Sequence, residues 1–274
     1  MMKILVFVKR VAAAQEEELK IIKDGEDIDL SKLPFKMNDW DSYAIEEAIR
    51  IVEKAGGQVA AISIGDRESD DVLRRSIAMG AKEGFLLNRD KPIIDPVLRA
   101  KLAFNFIKGE NVNFDVIFTG VQAEDDQFGV FGGYLAALLG LPYASMVVRI
   151  EDLGEGYMVV RRELEGGLIE RIKVSTPCIL SIQTGINEPR YVSIMGIRKA
   201  SQVERKVYEA SPYMEGLFSG IELLKWSYPP KKEGAKLLQG IWMLRARNFS
   251  TFSGKRGCIN ELRAFSCRCE EKRF

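Results

Sequence analysis

The sequence predicts an α/β fold built on a doubly wound, mostly parallel sheet. Three observations predict it: short apolar runs recur through the first 150 residues, helix-patterned segments lie between them, and the two alternate rather than cluster. Ile4–Val8, Val59–Ile64, Phe85–Leu87, Val116–Phe118 and Met146–Ile150 are apolar at consecutive positions, as strands covered on both faces require.

Tyr43–Ala55 places Ala44, Ala48 and Ile51 on one stripe and ends at Gly56-Gly57, a natural helix stop. Ser69 is placed to cap a helix over Asp70–Met79. Asp95 followed by Pro96 joins an N-cap to a first-turn residue that needs no N–H, opening a helix through Ile107. Tyr134–Leu139 follows as a further helix. After residue 150 the pattern changes. Gly154 and Gly156 part Met146–Ile150 from Tyr157–Glu163, and Gly166-Gly167 part that run from Leu168–Val174, an antiparallel hairpin excursion. Cys178–Gln183 returns as a strand of the main sheet, Asn187–Ser193 is an aperiodic loop, and Arg198–Tyr208 is a charged helix or extended arm.

The chain has 274 residues, with 40 Lys/Arg, 39 Asp/Glu and no histidine. Without histidine there is no Ser-His-Asp or Cys-His pair, no HExxH metal site and no imidazole proton relay. A binder or carrier is therefore expected rather than an acid–base enzyme. The near balance of charge gives no electrostatic case for nucleic acid or an anionic membrane. Ile4–Val8 is too short for a signal-peptide core, and the longest apolar stretch, Tyr134–Val148, is broken by Pro142 and falls short of a membrane span. Cys258, Cys267 and Cys269 lack the paired CxxC spacing of zinc or iron–sulfur sites. A cytoplasmic chain without metal or direct membrane span is expected. Residues 241–274 hold eight Lys/Arg against three Asp/Glu, reversing the acidic balance of the rest, so residue 240 marks a boundary.

Three segments could carry chemistry. Thr119–Gly133 follows a buried strand and leads into a helix, the place where an open α/β sheet binds ligands. Free N–H groups at a helix start favour phosphate, and glycines let the backbone approach it. An ordinary strand–helix connection with glycines for tight packing is the alternative, since the segment is neither GxGxxG nor a Walker loop. Lys9–Ala14, after the first strand, suits a nucleotide base, and Val11 of this segment joins the cofactor-binding set. Asn38-Asp39-Trp40-Asp41 precedes a helix; Asp41 as a cap accounts for one of the four, and the aromatic could stack on a planar ligand. Adjacent Asp125-Asp126 could bind Mg²⁺ but are more often solvated or capping.

At this point five segments agree, in order, with one family. Val160–Ile172, continuing to Pro177-Cys178-Ile179-Leu180-Ser181, carries a basic residue, an acid, glycines, a second acid and a proline before a buried strand. Val8-Lys9-Arg10-Val11, Ala78-Met79-Gly80-Ala81, Gly120-Val121-Gln122-Ala123 and Asn187-Glu188-Pro189-Arg190-Tyr191 accompany it. Residues 3 to about 240 thereby resemble the beta subunit of electron transfer flavoprotein, the FixA type. The resemblance implies a Rossmann-like, adenine-nucleotide-binding sheet in a heterodimer with a homologous alpha subunit. FAD would be held mainly by that partner, and AMP or a second FAD by the beta subunit. It implies an electron carrier, not an enzyme by itself. Electrons would pass from acyl-CoA or other flavin dehydrogenases to a quinone oxidoreductase or ferredoxin pathway, with flavin-based bifurcation within a larger complex as a variant.

Carried over by position, the nucleotide pocket would use Phe7, Asn38, Ile64 and the loop Gln122–Gly132, including Asp126, Gln127, Phe128, Gly129, Val130 and Phe131. Trp40 falls where the family places an aromatic near the FAD ring. Ile194 falls where the family has a leucine that anchors partner dehydrogenases, with Arg190 and Tyr191 in the same docking segment. The sequence departs from the family at Gly129-Val130-Phe131-Gly132, where polar side chains are lost and backbone amides would carry the phosphate. Ala14 replaces a tyrosine that faces flavin in some members, and Met195-Gly196 replaces the usual Leu/Pro context. The domain reading is residues 1–197 as the nucleotide-binding domain, 198–240 as an arm packing on the partner, and 241–274 as an atypical tail, the kind of change a shifted reading frame near Gly240 would produce. A stand-alone adenine-nucleotide sensor of the universal-stress type shares this sheet; the hairpin at 157–174 and the arm argue against it.

Overall fold

A computed structural model describes residues 1–13 and 19–230. Ala14 and the tail at 241–274, with Cys258, Cys267 and Cys269, lie outside the described residues, as does the 231–240 part of the arm. Met1–Ser227 form one compact unit.

The first strand, β1 (Met2–Phe7), shows why the sheet is central. Ile4 and Val6 enter one apolar core and Leu5 and Phe7 the other, so both faces of a single strand are covered. Two small ladders follow: β2 (Arg10–Ala12) pairs with β5 (Phe35–Met37), and β3 (Lys20–Ile22) with β4 (Asp27–Asp29). Then come α1 (Asp39–Ala55), β6 (Gly57–Gly65), α2 (Asp70–Met79), β7 (Glu83–Asn88), α3 (Pro96–Gly109), β8 (Val116–Gly120) and α4 (Phe131–Leu139). The hairpin excursion is β9 (Tyr143–Gly154), β10 (Tyr157–Leu164) and β11 (Leu168–Ser175), after which β12 (Cys178–Ile182), α5 (Ile194–Ala200) and β13 (Lys206–Glu209) complete the described elements.

Among the described residues the main sheet runs β11-β10-β9-β12-β8-β1-β6-β7-β13. β1 is parallel to both β6 and β8, and β10 is antiparallel to β9 and β11. In chain order, β6 and β7 build outward from β1 on one side, and β8 then returns to its other side. The C-terminal ends of β1 and β8 are therefore the point where the winding reverses, the place such sheets leave a crevice. Ala44, Ile45, Ala48 and Ile49 of α1 and Val72 and Leu73 of α2 fill one core, while Leu98, Leu102 and Phe106 of α3 and Leu135 of α4 fill the other.

The doubly wound sheet and its hairpin agree with the sequence reading. Asp95 caps α3 as expected, accepting from Val97 N at 2.8 Å and Leu98 N at 3.2 Å. Ser69 does not cap α2. Its own N–H and hydroxyl both donate to Asp66, which caps the short 3₁₀ turn ahead of the helix, so the side chain is already spent. Nor is Arg198–Tyr208 a single helix or arm. Arg198–Ala200 close α5, and Lys206–Glu209 form β13, a parallel strand added beside β7. Tyr208 and Tyr213 meet Phe106 edge-on at centroid distances of 5.0 and 5.4 Å, which fixes this segment to α3. The sheet thus extends past residue 197. None of the helices among the described residues is long and apolar enough to cross a membrane.

Candidate functional site

A cleft of about 580 Å³, counting its open mouth, lies at the reversal point. Its floor is Phe7 at the end of β1 with Val8 and Lys9 just after it, Ile64 of β6, and Thr119 and Gly120 of β8. Pro96 and Arg99 of α3 form one wall, and Val121–Ala123, Asp126 and Phe128–Phe131 form the other. Phe131 crosses Phe7 at 5.0 Å and 68°, giving the cleft an aromatic side.

Close backbone approach builds the site. A Cβ on Gly120 would sit 2.5 Å from Asp41 Oδ1 and 2.6 Å from Trp40 Cβ, so glycine lets the start of α1 lie against the end of β8. A Cβ on Gly132 would sit 2.5 Å from Ser181 Oγ and 2.8 Å from Thr119 Oγ1, so glycine seats the first turn of α4 on β8 and β12. Those hydroxyls are themselves bonded at 2.8 Å, and Tyr143 reaches Ser181 at 2.9 Å. The N-cap of α4 is Val130, and no side chain caps the helix. Its first-turn N–H groups are left for a ligand or solvent.

Asn38 and Asp41 lock the crevice from the α1 side. Asn38 Nδ2 donates to the Gln122 carbonyl at 2.9 Å, and Asn38 Oδ1 accepts from Glu124 N at 3.1 Å. Asp41 accepts from Lys9 N at 2.8 Å and Gly120 N at 3.1 Å, tying the ends of β1 and β8 together. Burial pushes its carboxyl up to about 7, against the opposing effect of those donors. Asp41 is thus a strand clamp in the first turn of α1, a larger role than the cap read from sequence.

The charged groups are paired. Lys9 Nζ lies 2.6 Å from Asp125 and 2.8 Å from Asp126, and Arg99 reaches Asp126 at 3.3 Å. Burial works to raise the Asp126 carboxyl, but Lys9 and Arg99 outweigh it and hold it below the usual range. No cluster of metal-ligating side chains occurs among the described residues. Cys178, buried in β12, has its thiol pushed up to about 12 by burial and stays protonated.

Of the residues expected in the pocket, Phe7, Asn38, Ile64, Gln122, Asp126, Phe128, Gly129, Val130 and Phe131 line the cleft. Val11 does not; it is buried in β2, opposite Lys36 of β5. Gln127 and Gly132 are also outside the lining, the first at a left-handed turn position (φ 52°) and the second in the first turn of α4, facing Ser181 and Thr119. Trp40 is half-buried beside the end of β12, its Nε1 donating to Gln183 Oε1 at 2.9 Å, and it does not line this cleft. Sequence reasoning missed Arg99 and undervalued Lys9, whose partners lie far along the chain.

A second region stands apart from the cleft. Tyr191 is 88% exposed, Ile194 70% and Met195 64%. Ile194 is the first residue of α5, with Ser193 capping that helix through Gly196 N at 3.1 Å. Arg190 points the other way. Its guanidinium pairs with Glu46 at 2.8 Å and Glu53 at 2.8 Å, both on α1, and also donates to the Met79 carbonyl.

Residues 28–212 match the Electron transfer flavoprotein domain family. The chain is 33% identical over 248 residues to the electron transfer flavoprotein subunit beta of Methylophilus methylotrophus, covering 87% of this chain and 93% of that one. It is 32% identical over 244 residues to the subunit of the same name from Bacillus subtilis, covering 87% and 92%. The mitochondrial subunit beta of Arabidopsis thaliana is 33% identical over 242 residues, covering 88% and 94%. The chain belongs to the electron transfer flavoprotein beta-subunit family. An electron-transfer role comes with that membership, and the cleft and the exposed segment are this flavoprotein subunit's two candidate surfaces.

Proposed function

We propose that the chain is the beta subunit of a heterodimeric electron transfer flavoprotein. It shares FAD with a homologous alpha subunit and binds AMP or a second FAD in the cleft at the reversal point. The observation that carries the nucleotide assignment is the uncapped start of α4 facing a cleft that also presents Phe7, Phe131 and Ile64. Helix N–H groups and nearby glycines suit a phosphate, and the apolar wall suits a purine face. The flavin supplies the redox chemistry when bound; this chain's residues hold, orient and shield it. The absence of histidine accords with a carrier that moves electrons rather than catalysing proton transfers.

Tyr191, Ile194 and Met195 form the docking surface for flavin dehydrogenases, acyl-CoA dehydrogenases among them. Arg190 holds that surface in place. Acceptors on a quinone or ferredoxin pathway complete the route, in the cytoplasm. Residues 211–230, including exposed Phe218 and Leu224, are the described part of the arm proposed to pack on the alpha subunit. Trp40 borders the subunit cleft near the shared flavin. Co-expression with the homologous partner tests this reading: the pair should co-purify and absorb as a flavoprotein, with Trp40 emission quenched in wild type relative to flavin-stripped protein. A well-behaved flavin-free monomer would favour a nucleotide sensor instead.

A further inference from the structure

Two cations from distant parts of the chain converge on one carboxylate oxygen inside the cleft. Lys9 follows β1, Arg99 sits in the first turns of α3, and Asp126 lies in the loop before α4. All three side chains are less than a fifth exposed, at 18%, 15% and 15%. Asp126 Oδ2 takes both Lys9 Nζ at 2.8 Å and Arg99 Nη1 at 3.3 Å, while its Oδ1 accepts from Phe128 N at 3.2 Å. The guanidinium is not matched by a two-oxygen acceptor: one arm reaches Asp126 and the other the Ile93 carbonyl. A planar fork beside an ammonium is the pairing that recognises phosphate oxygens, and a single carboxylate oxygen uses only part of it. The same cleft receives the start of α4, so two sources of positive potential meet where Asp126 sits.

We propose that Asp126 is a built-in placeholder for a ligand phosphate, and that Lys9 and Arg99 are the phosphate's cationic seat. This rests on the nucleotide reading of the cleft and assigns Asp126 the opposite sign from a binding residue: its carboxylate competes with the ligand. Ligand-free, the two cations are neutralised rather than left unpaired under burial, which would be costly. When a phosphate enters, its oxygens take over both cations; the pairing of each with Asp126 is the interaction given up, while Lys9 keeps the more exposed Asp125, which it already meets at 2.6 Å. The site therefore discriminates by phosphate rather than by base. A nucleoside lacking phosphate leaves Asp126 in place and gains nothing from Lys9 or Arg99.

Calorimetry on the chain paired with its alpha subunit and stripped of bound nucleotide tests this, titrating AMP, FAD and adenosine separately. Asp126→Asn keeps the Oδ1 acceptor for Phe128 but removes the charge. It should bind AMP about tenfold tighter, as expected for losing a charge-assisted competitor, with adenosine affinity unchanged. Arg99→Met should bind AMP about tenfold more weakly, again without affecting adenosine, and it decides the matter should Asp126→Asn misfold. FAD following the same pattern would assign the seat to a pyrophosphate. AMP binding that is unchanged or weaker in Asp126→Asn, or adenosine shifting in step with AMP, would overturn the placeholder and make Asp126 a loop tether. Wild-type protein binding neither AMP nor FAD would instead sink the nucleotide reading beneath it.

Discussion

The cleft and the proposed docking segment solve opposite problems with the same helix. At its N-terminal end, α1 contributes Asn38 and Asp41, which take part in hydrogen bonds to β1, β8 and the loop before α4. One to four turns later, Glu46 and Glu53 hold Arg190, Asn187 donates to the Tyr43 carbonyl and Glu47, and Arg50 donates to the Glu188 carbonyl. In the cleft, polar groups turn inward, charges are paired, and glycines allow contacts no Cβ would tolerate. In the proposed docking segment, Asn187, Arg190 and the Glu188 carbonyl face the protein and large apolar side chains face solvent. Burial makes the first region intolerant of volume and charge changes. Exposure makes the second tolerant in the free chain and sensitive only when a partner is present.

The largest effect expected from this contrast is at Gly132. Gly132→Val places carbons against two buried, mutually bonded hydroxyls, so overpacking should cost about 3 kcal/mol of stability and abolish nucleotide retention. Urea unfolding and calorimetry with AMP measure both. A variant with a wild-type unfolding midpoint would mean that the α4 seat is looser than described.

Glu46→Ala comes next. The Glu46 side chain is only 2% exposed; burial works to raise its carboxyl, but Arg190 and Arg50 hold it below the usual range. Arg190 is about a third exposed and keeps Glu53, so the loss should be about 2 kcal/mol rather than the full penalty of an orphaned buried charge. Limited proteolysis should then cut within 187–195 faster while AMP binding persists. Equal loss of both would erase the distinction between the regions.

Ile194→Ala should leave folding alone and weaken dehydrogenase docking by ~2 kcal/mol, roughly thirtyfold, with the flavin spectrum unchanged. Interprotein electron-transfer kinetics check it. Unchanged kinetics would remove Ile194 from the docking surface.

The smallest effect is a pH dependence from Asp41. Its folded value, about 7, lies above the 3.8 of an ordinary Asp, so the folded state holds the proton more tightly between those values. Its contribution is fully present below the unfolded value and is lost as pH rises through the folded one. Relative to Asp41→Asn, wild-type stability should fall by roughly 1–2 kcal/mol between pH 5 and 7. Parallel melting curves for the two proteins across that range would contradict the buried clamp.

The sheet was readable because its central strands are apolar on both faces and separated by helix stops and caps such as Gly56-Gly57 and Asp95-Pro96. What was hidden depends on distance along the chain. The extra turn of α1 before Tyr43 carries Asp41, whose position is set by the ends of β1 and β8 rather than by helical periodicity. β13 is four mostly exposed residues, fixed by aromatic contacts to α3 that no local pattern announces. Arg99 reads as an ordinary helix charge until Asp126, in the loop before α4, is brought against it. Gly132 was legible as a glycine at a helix start, but its reason is packing on Ser181 and Thr119, not direct contact with the cleft. Arg190 was read as a docking contact from the family resemblance of its segment; its acidic partners are on α1, more than a hundred residues earlier.

Mass spectrometry of the small molecules released on denaturing the unstripped, co-purified pair tests the central claim most directly. AMP, or more than one FAD per pair, is the predicted result. One FAD or none, with no AMP, would contradict a nucleotide in this cleft.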